Sequence, residues 1–566
     1  MLGKDVSRRI EEALLKVCRK YFQENLPDRS FPETIEVFLQ VTRDAKHGDL
    51  TSNVALRLAP VLGISPSVLA EGIAAIFRDQ MDKAGLSAFL SAGSIEVKGG
   101  FINFRLTDEY YRELLVSIQT QKNHFGKSDE GHGKHVNLEF VSANPTGPLT
   151  IAHGRQAAIG DALSRILRFD GYKVTNEYYL NDVGRQIRLL GESVEVRYRN
   201  FFGKTETMPE DGYRGDYIID IAREIKEKKG NNLLERSPET VRFFRDYAVR
   251  YMMCLIAEDL ADFGVAFDVR TSQARLEKQK EVEKVLELLK KGGYIYEDDG
   301  AKWFASTRFG DDKDRVVVKS DGSYTYLAPD IAYHLDKYRR GYTHLIDLLG
   351  PDHHGYIMRM KAAVQAIGRD AKSLDILIVQ LVTLLRGGET VSMSTRKGEF
   401  ISLREIIDEI GKDVTRYFFL SRRLDSHLDF DIDLAKKESA DNPVFYIQYA
   451  HARICSIKKY SRKSRIRLFF WKLRLDLLKT GEEKQLMRKL GEFPFAVRAS
   501  AEALEPNRLI VYLNELARLF HSFYTECRVV TDDAALSKAR LFLVECTRIV
   551  LANGLGLLNI SFPEKM

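Results

Sequence analysis

Cysteine, tryptophan and long apolar runs are what this 566-residue chain has least of. Its five cysteines, Cys18, Cys254, Cys455, Cys527 and Cys546, are scattered, odd in number and never in a Cys-x-x-Cys pair. Such spacing encodes neither a disulfide framework nor a zinc knuckle, and a reducing, cytoplasmic setting is expected. No apolar run approaches the roughly 20 residues of a membrane-spanning helix, so no membrane partner is expected. The N-terminal segment MLGKDVSRRIEEALL is charged throughout and lacks the apolar centre of a secretory signal. Internal repeats and low-complexity tracts are absent. Neither sign of charge dominates, the net charge being +6. With 44% hydrophobic and 29% charged residues, the composition excludes disordered, collagen-like and small disulfide-stapled chains. At about 150 residues per domain, three or four domains are expected.

What charge there is lies unevenly. Residues 441–566 carry eight more Lys and Arg than Asp and Glu, residues 1–440 two fewer, and the segment 451–490 alone has a surplus of ten. A basic C-terminal block on a near-neutral body points to a polyanionic partner.

The patterns divide the chain into three. Residues 1–120 read as a small α+β domain. Ile10, Leu14, Val17 and Tyr21 recur at helical spacing; Ile35, Val37, Leu39 and Val41 alternate as in a strand; a second strand pattern, 95–106, is interrupted at Gly99-Gly100 by a bulge or turn. The polar, Gly-rich stretch 121–134 reads as a linker opening the second region, 121–440. There, strand patterns at 136–141, 172–179, 344–349 and 375–382 alternate with helical ones, including 355–367. This predicts a Rossmann-like parallel α/β sheet with a ligand crevice at its strand ends. Residues from about 190 to 300, rich in Lys, Glu and Tyr, read as a helical insertion. Beyond 441 the strands stop. Ile447, Ala450, Ile454 and Ile457, then Leu543, Val550 and Leu551, follow helical spacing, with Gly554 as a helix stop.

The most informative stretch is LEFVSANPTGPLTIAHGR, residues 138–155. A strand runs into a loop, Asn144-Pro145-Thr146-Gly147-Pro148, that cannot be helical. A helix then opens with Thr150 and His153 in its first turn. Free backbone N–H groups and the helix dipole make such a turn an anion site. Alone, the stretch is equally well an ordinary strand–helix turn with a solvated histidine.

In its company the stretch resembles the signature of class I aminoacyl-tRNA synthetases, specifically the bacterial arginyl-tRNA synthetase family. There SANPTGPL leads into a motif written HIGH, here Thr150-Ile151-Ala152-His153. His47–Ala59 and Gly99–Leu106 resemble the family's N-terminal domain, Asp441–Ile454 the start of its anticodon-binding domain, and the ending GLGLLNISFPEKM its C-terminus. The second class I signature, KMSKS, has its counterpart in Ser392-Met393-Ser394-Thr395-Arg396, followed by Lys397. Neither motif lysine is in place. Cations near the leaving pyrophosphate stabilise the transition state. Arg396 and Lys397 are the candidates, with Lys134 upstream as the alternative; without its neighbours, 392–397 would read as a solvated basic turn.

The resemblance implies an all-helical anticodon-binding domain at 441–566, a tRNA-binding domain at 1–120 and an arginine–tRNA ligase activity. L-arginine and ATP would give arginyl-adenylate, and the arginyl group would pass to the 2′-hydroxyl of the terminal adenosine of tRNA(Arg). It implies an arginine pocket of Glu139, Ser142, Asn144, His153, Tyr326 and Asp330. Chemically, a planar guanidinium suits a carboxylate with a hydroxyl beside it. Asp330 also reads as a helix N-cap. Thr150, His153, Gly350, Asp352, His353 and Met393 are implied at ATP, with Thr150, His153, Arg396 and Lys397 catalytic. Magnesium is expected only as the ATP complex. No protein-bound metal is expected, since the pair His353-His354 lacks a third ligand at metal-site spacing. In the basic run 453–474, Arg462, Lys463, Arg465 and Arg467 are the candidates for the tRNA backbone, whereas Tyr460, Phe469, Phe470 and Trp471 read as core. A monomer is expected. Two other classes stay open: an inactive paralogue that only binds RNA, favoured by the altered TIAH and SMSTR motifs, and a synthetase of different amino-acid specificity.

Overall fold

Ile10, Leu14 and Val17 fall on one buried face of α1 (Val6–Asn25), as their spacing requires. In the computed structural model the described residues are 6–28, 31–32, 35, 37–42, 44–391, 401–437, 439, 441–463 and 473–566. Helices α1, α2 (Val54–Leu62) and α3 (Pro66–Gln80) cover an antiparallel sheet of β1 (Gln40–Val41), β2 (Leu50–Ser52), β3 (Ile95–Lys98) and β4 (Phe101–Phe104), in the order β1-β2-β4-β3. The alternation at 35–41 yields a strand of only two residues among those described. One reason is local: the Glu11 carboxylate accepts the Leu39 N–H at 2.8 Å, taking a donor that a longer ladder would use. Gly99 and Gly100, both at positive φ, form the two-residue turn of the β3–β4 hairpin. α4 (Asp108–Gln121) leads on to the stretch read as a linker. That stretch is packed: Phe125 is buried, its ring stacked on Phe493 with centroids 6.1 Å apart.

Next come β5 (His135–Glu139), α5 (Ile151–Phe169) and β6 (Lys173–Leu180). Three helices follow, α6 (Arg185–Asn200), α7 (Asp216–Lys229) and α8 (Pro238–Asp262), with a core of their own. The expected helical insertion stops short of 300. β7 (Val269–Ser272) returns to the sheet beside β6, because Thr271 is fully buried there with its hydroxyl on Glu177. α9 (Gln273–Lys278), α10 (Glu281–Lys291) and a small antiparallel sheet of β8 (Ile295–Asp298), β9 (Ala301–Phe304) and β10 (Arg315–Val318) precede α11 (Leu327–Arg339). Then come β11 (His344–Leu349), α12 (Tyr356–Ala366) and β12 (Leu374–Ile378).

The main sheet is parallel throughout, in the order β12-β11-β5-β6-β7. From the central pair, β5 steps to β6 and β11 steps the other way to β12. Right-handed crossovers therefore place α5 and α12 on opposite faces, and the ends of β5 and β11 form a switch-point crevice. α5 lies tight on its strand: a Cβ on Gly160 would stand 2.2 Å from the Phe140 ring.

Beyond the sheet run β13 (Val382–Arg386), β14 (Glu389–Thr390), α13 (Leu403–Ile410), α14 (Lys412–Leu420), β15 (Leu428–Asp431) and α15 (Ile432–Ala435). The C-terminal region is helical: α16 (Pro443–Lys463), α17 (Gly481–Gly491), α18 (Phe493–Glu502), α19 (Asn507–Glu526) and α20 (Ala534–Leu557). Gly554 does not stop α20. It lies inside the helix, where a Cβ would meet Leu513 of α19 at 2.6 Å, so close helix packing explains the glycine. Arg416 of α14 is fully buried. It donates to the Leu558 carbonyl at 3.0 Å, the Phe263 carbonyl at 3.2 Å and the Asp161 carboxylate of α5 at 2.6 Å. The helical region also grips the first domain: Arg488 donates to the Gly48 carbonyl at 2.8 Å, and Arg498 pairs with Glu11 at 3.1 Å.

Candidate active site

One wall of the crevice is the start of α5. After Glu139 the chain turns through Val141 and Ser142, both at positive φ, a strained conformation for side-chain-bearing residues. Polar contacts hold the turn. The Ser142 hydroxyl donates to Glu139 Oε1 at 3.0 Å and accepts the Tyr179 N–H at 3.0 Å. Tyr178 donates to the Ala143 carbonyl at 2.6 Å, and Tyr217 of α7 to the Thr146 carbonyl at 2.8 Å. Thr150 is the N-cap of α5. Its backbone N–H donates to His153 Nδ1 at 3.2 Å. The ring's proton therefore sits on Nε2. Burial lowers the imidazole pKa to about 4, so the ring is neutral near pH 7. A neutral donor beside the helix's free N–H groups favours an anion without carrying charge itself. The buried Arg155 braces the helix by donating to the carbonyls of Gln380 and Arg423, both at 2.8 Å.

The opposite wall is charged. Asp330, His334 and Lys337 stand at i, i+4 and i+7 of α11, on one face. Lys337 is fully buried, its ammonium 2.6 Å from Glu139 Oε2 and 2.8 Å from Asp347 Oδ1. His334 Nε2 lies 2.8 Å from the second Asp347 oxygen, and its Nδ1 2.8 Å from the Asp330 carbonyl. Burial pulls His334 down, but Asp347 outweighs it and raises the imidazole; in Asp347 the raising effect of burial is outweighed by Lys337 and His334, which hold the carboxyl well below the usual range. Among the described residues no cation forms an ion pair with Asp330. Burial, with repulsion from Glu139 and Asp347, pushes its carboxyl up to about 7. Its hydrogen-bond partner is the Tyr356 hydroxyl of α12.

Glu139, Ser142, His153 and Asp330 thus converge on one crevice, together with three charged or titratable groups and a phenol not foreseen: Lys337, His334, Asp347 and Tyr356. Tyr326 is 87% exposed, and the hydroxyl that donates to the Asp330 carboxylate is that of Tyr356. Asp330 is not a helix cap. α11 begins at Leu327 with Tyr326 as its N-cap, which leaves Asp330 within the first turn. Asn144 is exposed and donates to Gln186 of α6 at 2.9 Å. Gly350 follows β11 at the crevice; Asp352 and His353 are exposed on the next short turn.

Lys134 cannot serve the α5 wall. It precedes β5 and so lies at the far end of a five-residue strand, roughly 17 Å from the strand's carboxyl end. Met393, Arg396 and Lys397 lie outside the described residues, as do Arg465 and Arg467, and with them Phe469, Phe470 and Trp471. The chain resumes beside the site: Ser402 bridges to Thr150, and Leu403 N–H donates to the Leu149 carbonyl at 2.7 Å. Arg462 and Lys463 are exposed at the end of α16. Among the described residues no group of three or more His, Cys, Asp or Glu side chains is placed to hold a metal ion.

Three family models match in tandem. Residues 4–106 match "Arginyl tRNA synthetase N terminal domain", 114–419 "tRNA synthetases class I (R), catalytic domain", and 447–566 "DALR anticodon binding domain". The chain is 46% identical over 555 residues to arginine–tRNA ligase of Syntrophotalea carbinolica, covering 98% of each chain. It is 44% identical to that of Shouchella clausii, over 99% of this chain and 100% of the other. Its fold is that of the Thermus thermophilus arginyl-tRNA synthetase, with a TM-score of 0.74 at 22% identity, covering 98% of this chain and 100% of that one. Methionyl-tRNA synthetase of Mycobacterium tuberculosis gives 0.56 at 11% identity, over 76% and 92%. With three models in order along it and relatives matching it end to end, the chain belongs to the arginyl-tRNA synthetase family.

Proposed function

We propose that the chain is an arginine–tRNA ligase that uses the two walls of this crevice for its two small substrates. The observation that carries this is the segregation of charge. The α11 wall holds a half-buried carboxylate that pairs with no cation among the described residues and so suits one; the α5 wall holds neutral donors suited to a polyanion. L-arginine lays its guanidinium on Asp330, which that cation drives to the ionised form. Glu139, fixed by Lys337 and Ser142, keeps lone pairs for the α-ammonium, and Asn144 and Tyr326 stand at the pocket's rim. ATP lays its phosphates on Thr150, His153 and the N–H groups of α5. Its nucleoside lies toward Gly350, with Asp352 and His353 beside the ribose and Met393 belonging to the same subsite.

An arginine carboxylate oxygen then attacks the α-phosphorus, and the bond to pyrophosphate breaks. The protein contributes positioning and charge stabilisation. His153 donates from Nε2, and Arg396 and Lys397 supply positive charge for the leaving group. Magnesium enters with ATP, held by phosphates and water. The 2′-hydroxyl of the 3′-terminal adenosine of tRNA(Arg) then attacks the arginyl carbonyl and AMP leaves; Arg462, Lys463, Arg465 and Arg467 engage the tRNA backbone. The enzyme acts in the cytoplasm as a monomer.

The test is ATP–pyrophosphate exchange driven by arginine, with and without tRNA, compared with lysine and citrulline. Arginine alone should support exchange, and citrulline, which lacks the charge, should fail. Exchange with none of the three would leave an inactive RNA-binding paralogue. Exchange with lysine in preference to arginine would reassign the specificity.

A further inference from the structure

Gln156 lies one helical turn beyond His153 on α5. Only 8% of it is exposed, yet among the described residues its carboxamide has no hydrogen-bond partner. Neither amide atom is among the fully buried side-chain atoms that lack a partner, so the otherwise enclosed side chain brings its carboxamide out to solvent, where a ligand can reach it. The carboxamide faces the crevice: its Nε2 would lie 4.0 Å from a Cβ placed on Gly350, where nothing else beyond Gly350 and its chain neighbours comes as near. Gly350 itself follows β11 at the switch point, so the gap between these two residues opens where strand ends and the α5 wall meet.

We infer that the Gln156 carboxamide is a binding residue for the nucleoside of ATP, donating to or accepting from its ribose or adenine edge. The inference rests on the ATP placement proposed above and deepens it. Three observations select the nucleoside. The phosphate donors Thr150 and His153 occupy the first turn, and Gln156 sits a turn deeper on the same face. The arginine-side carboxylates stand on α11 and at the end of β5, and none of them bonds to Gln156. A carboxamide both donates and accepts, as hydroxyls and purine edges require, whereas the phosphates need donors only. Gly350, lacking a side chain, leaves the space that such a ring or sugar would fill.

The test uses Gln156→Met, which keeps the volume, and Gln156→Ala, both in the full chain, with folding checked by thermal melting. ATP and adenosine are titrated directly, and KM values for ATP and arginine are measured by exchange in the presence of tRNA. The expected result is a three- to tenfold weaker affinity for both ATP and adenosine, about the value of one hydrogen bond, with KM for arginine unchanged. Unchanged ATP and adenosine affinity in a folded variant overturns the inference. So does a loss confined to ATP, which would place the amide on the phosphates, or a rise in KM for arginine alone. The direct titrations keep this separate from the proposed function: a wild-type chain that binds ATP but supports no arginine-driven exchange would fail the latter while still deciding the role of Gln156.

Discussion

The two walls of the crevice handle charge in opposite ways. On α5 the site is built from neutral groups: a histidine held uncharged by burial, a threonine cap and backbone N–H groups whose dipoles are fixed by the helix. On α11 it is built from ions, with the buried Lys337 compensating Glu139 and Asp347 while no cation among the described residues pairs with Asp330. A helix end can receive a polyanion at no expense in buried charge. Receiving a cation requires a carboxylate, and a buried carboxylate resists ionisation until the cation arrives. The protein limits that difficulty to one residue by neutralising the others internally.

The sharpest break of this contrast is Asp330→Asn. Removing one partner of a buried ion pair is worth about 3–5 kcal/mol, so arginine activation should fall by on the order of 10²–10⁴ with ATP affinity unchanged. Pyrophosphate exchange at saturating ATP measures it, and near-normal activation would place the guanidinium elsewhere. Lys337→Met should destabilise the fold by roughly 3 kcal/mol, because it strands two buried carboxylates. Adding Asp347→Asn should recover part of the loss in a urea melt, and equal stability of single mutant and wild type would mean that the charges are solvated.

Acidity separates the walls without mutation. Asp330 is protonated below a pKa of about 7 in the empty site, and the protonated form offers no charge to a guanidinium. kcat/KM for arginine should therefore fall about tenfold per pH unit below 7 and level off above it. His153, with its pKa near 4, stays neutral over that range, so direct ATP affinity should not follow the same curve. A shared profile would mean that one group governs both substrates. The smallest effect is expected far from the crevice. Changing Arg462 and Lys463 to Ser should weaken tRNA binding and flatten its salt dependence by about 0.7 in log–log slope per lost phosphate contact, leaving arginine and ATP untouched.

How far the sequence could be read follows the same division. The α5 wall was legible because strand, proline-containing loop and capped helix are consecutive, and local rules decide them. β11 and α12 fell close to where their patterns placed them, 344–349 and 355–367. Lys337 was not legible: within DKYRR it looks like one of several solvated charges, and its two partners come from strands 198 and 10 residues away. A faint signal existed in the i, i+4, i+7 stripe of Asp330, His334 and Lys337. Tyr356 pairs with Asp330 across 26 residues, and no pattern announces that. Gly554 misled for a related reason. A glycine near the end of a helical pattern reads as a stop, whereas here the neighbouring helix sets the requirement.

Arg416 carries a consequence for how the molecule is made. Its guanidinium meets Asp161 and the Phe263 carbonyl, which are synthesised before it, and the Leu558 carbonyl, which comes near the very end of the chain. Domains generally fold in order as they emerge during translation. This one reaches its buried charge with a donor still unanswered, and only the final residues complete it. A nascent chain halted short of Leu558 would keep its crevice sequence intact and still lack the last support of the helix that carries His153. A chain lacking Leu558 would thus leave one donor of the Arg416 guanidinium, otherwise fully enclosed, without its carbonyl.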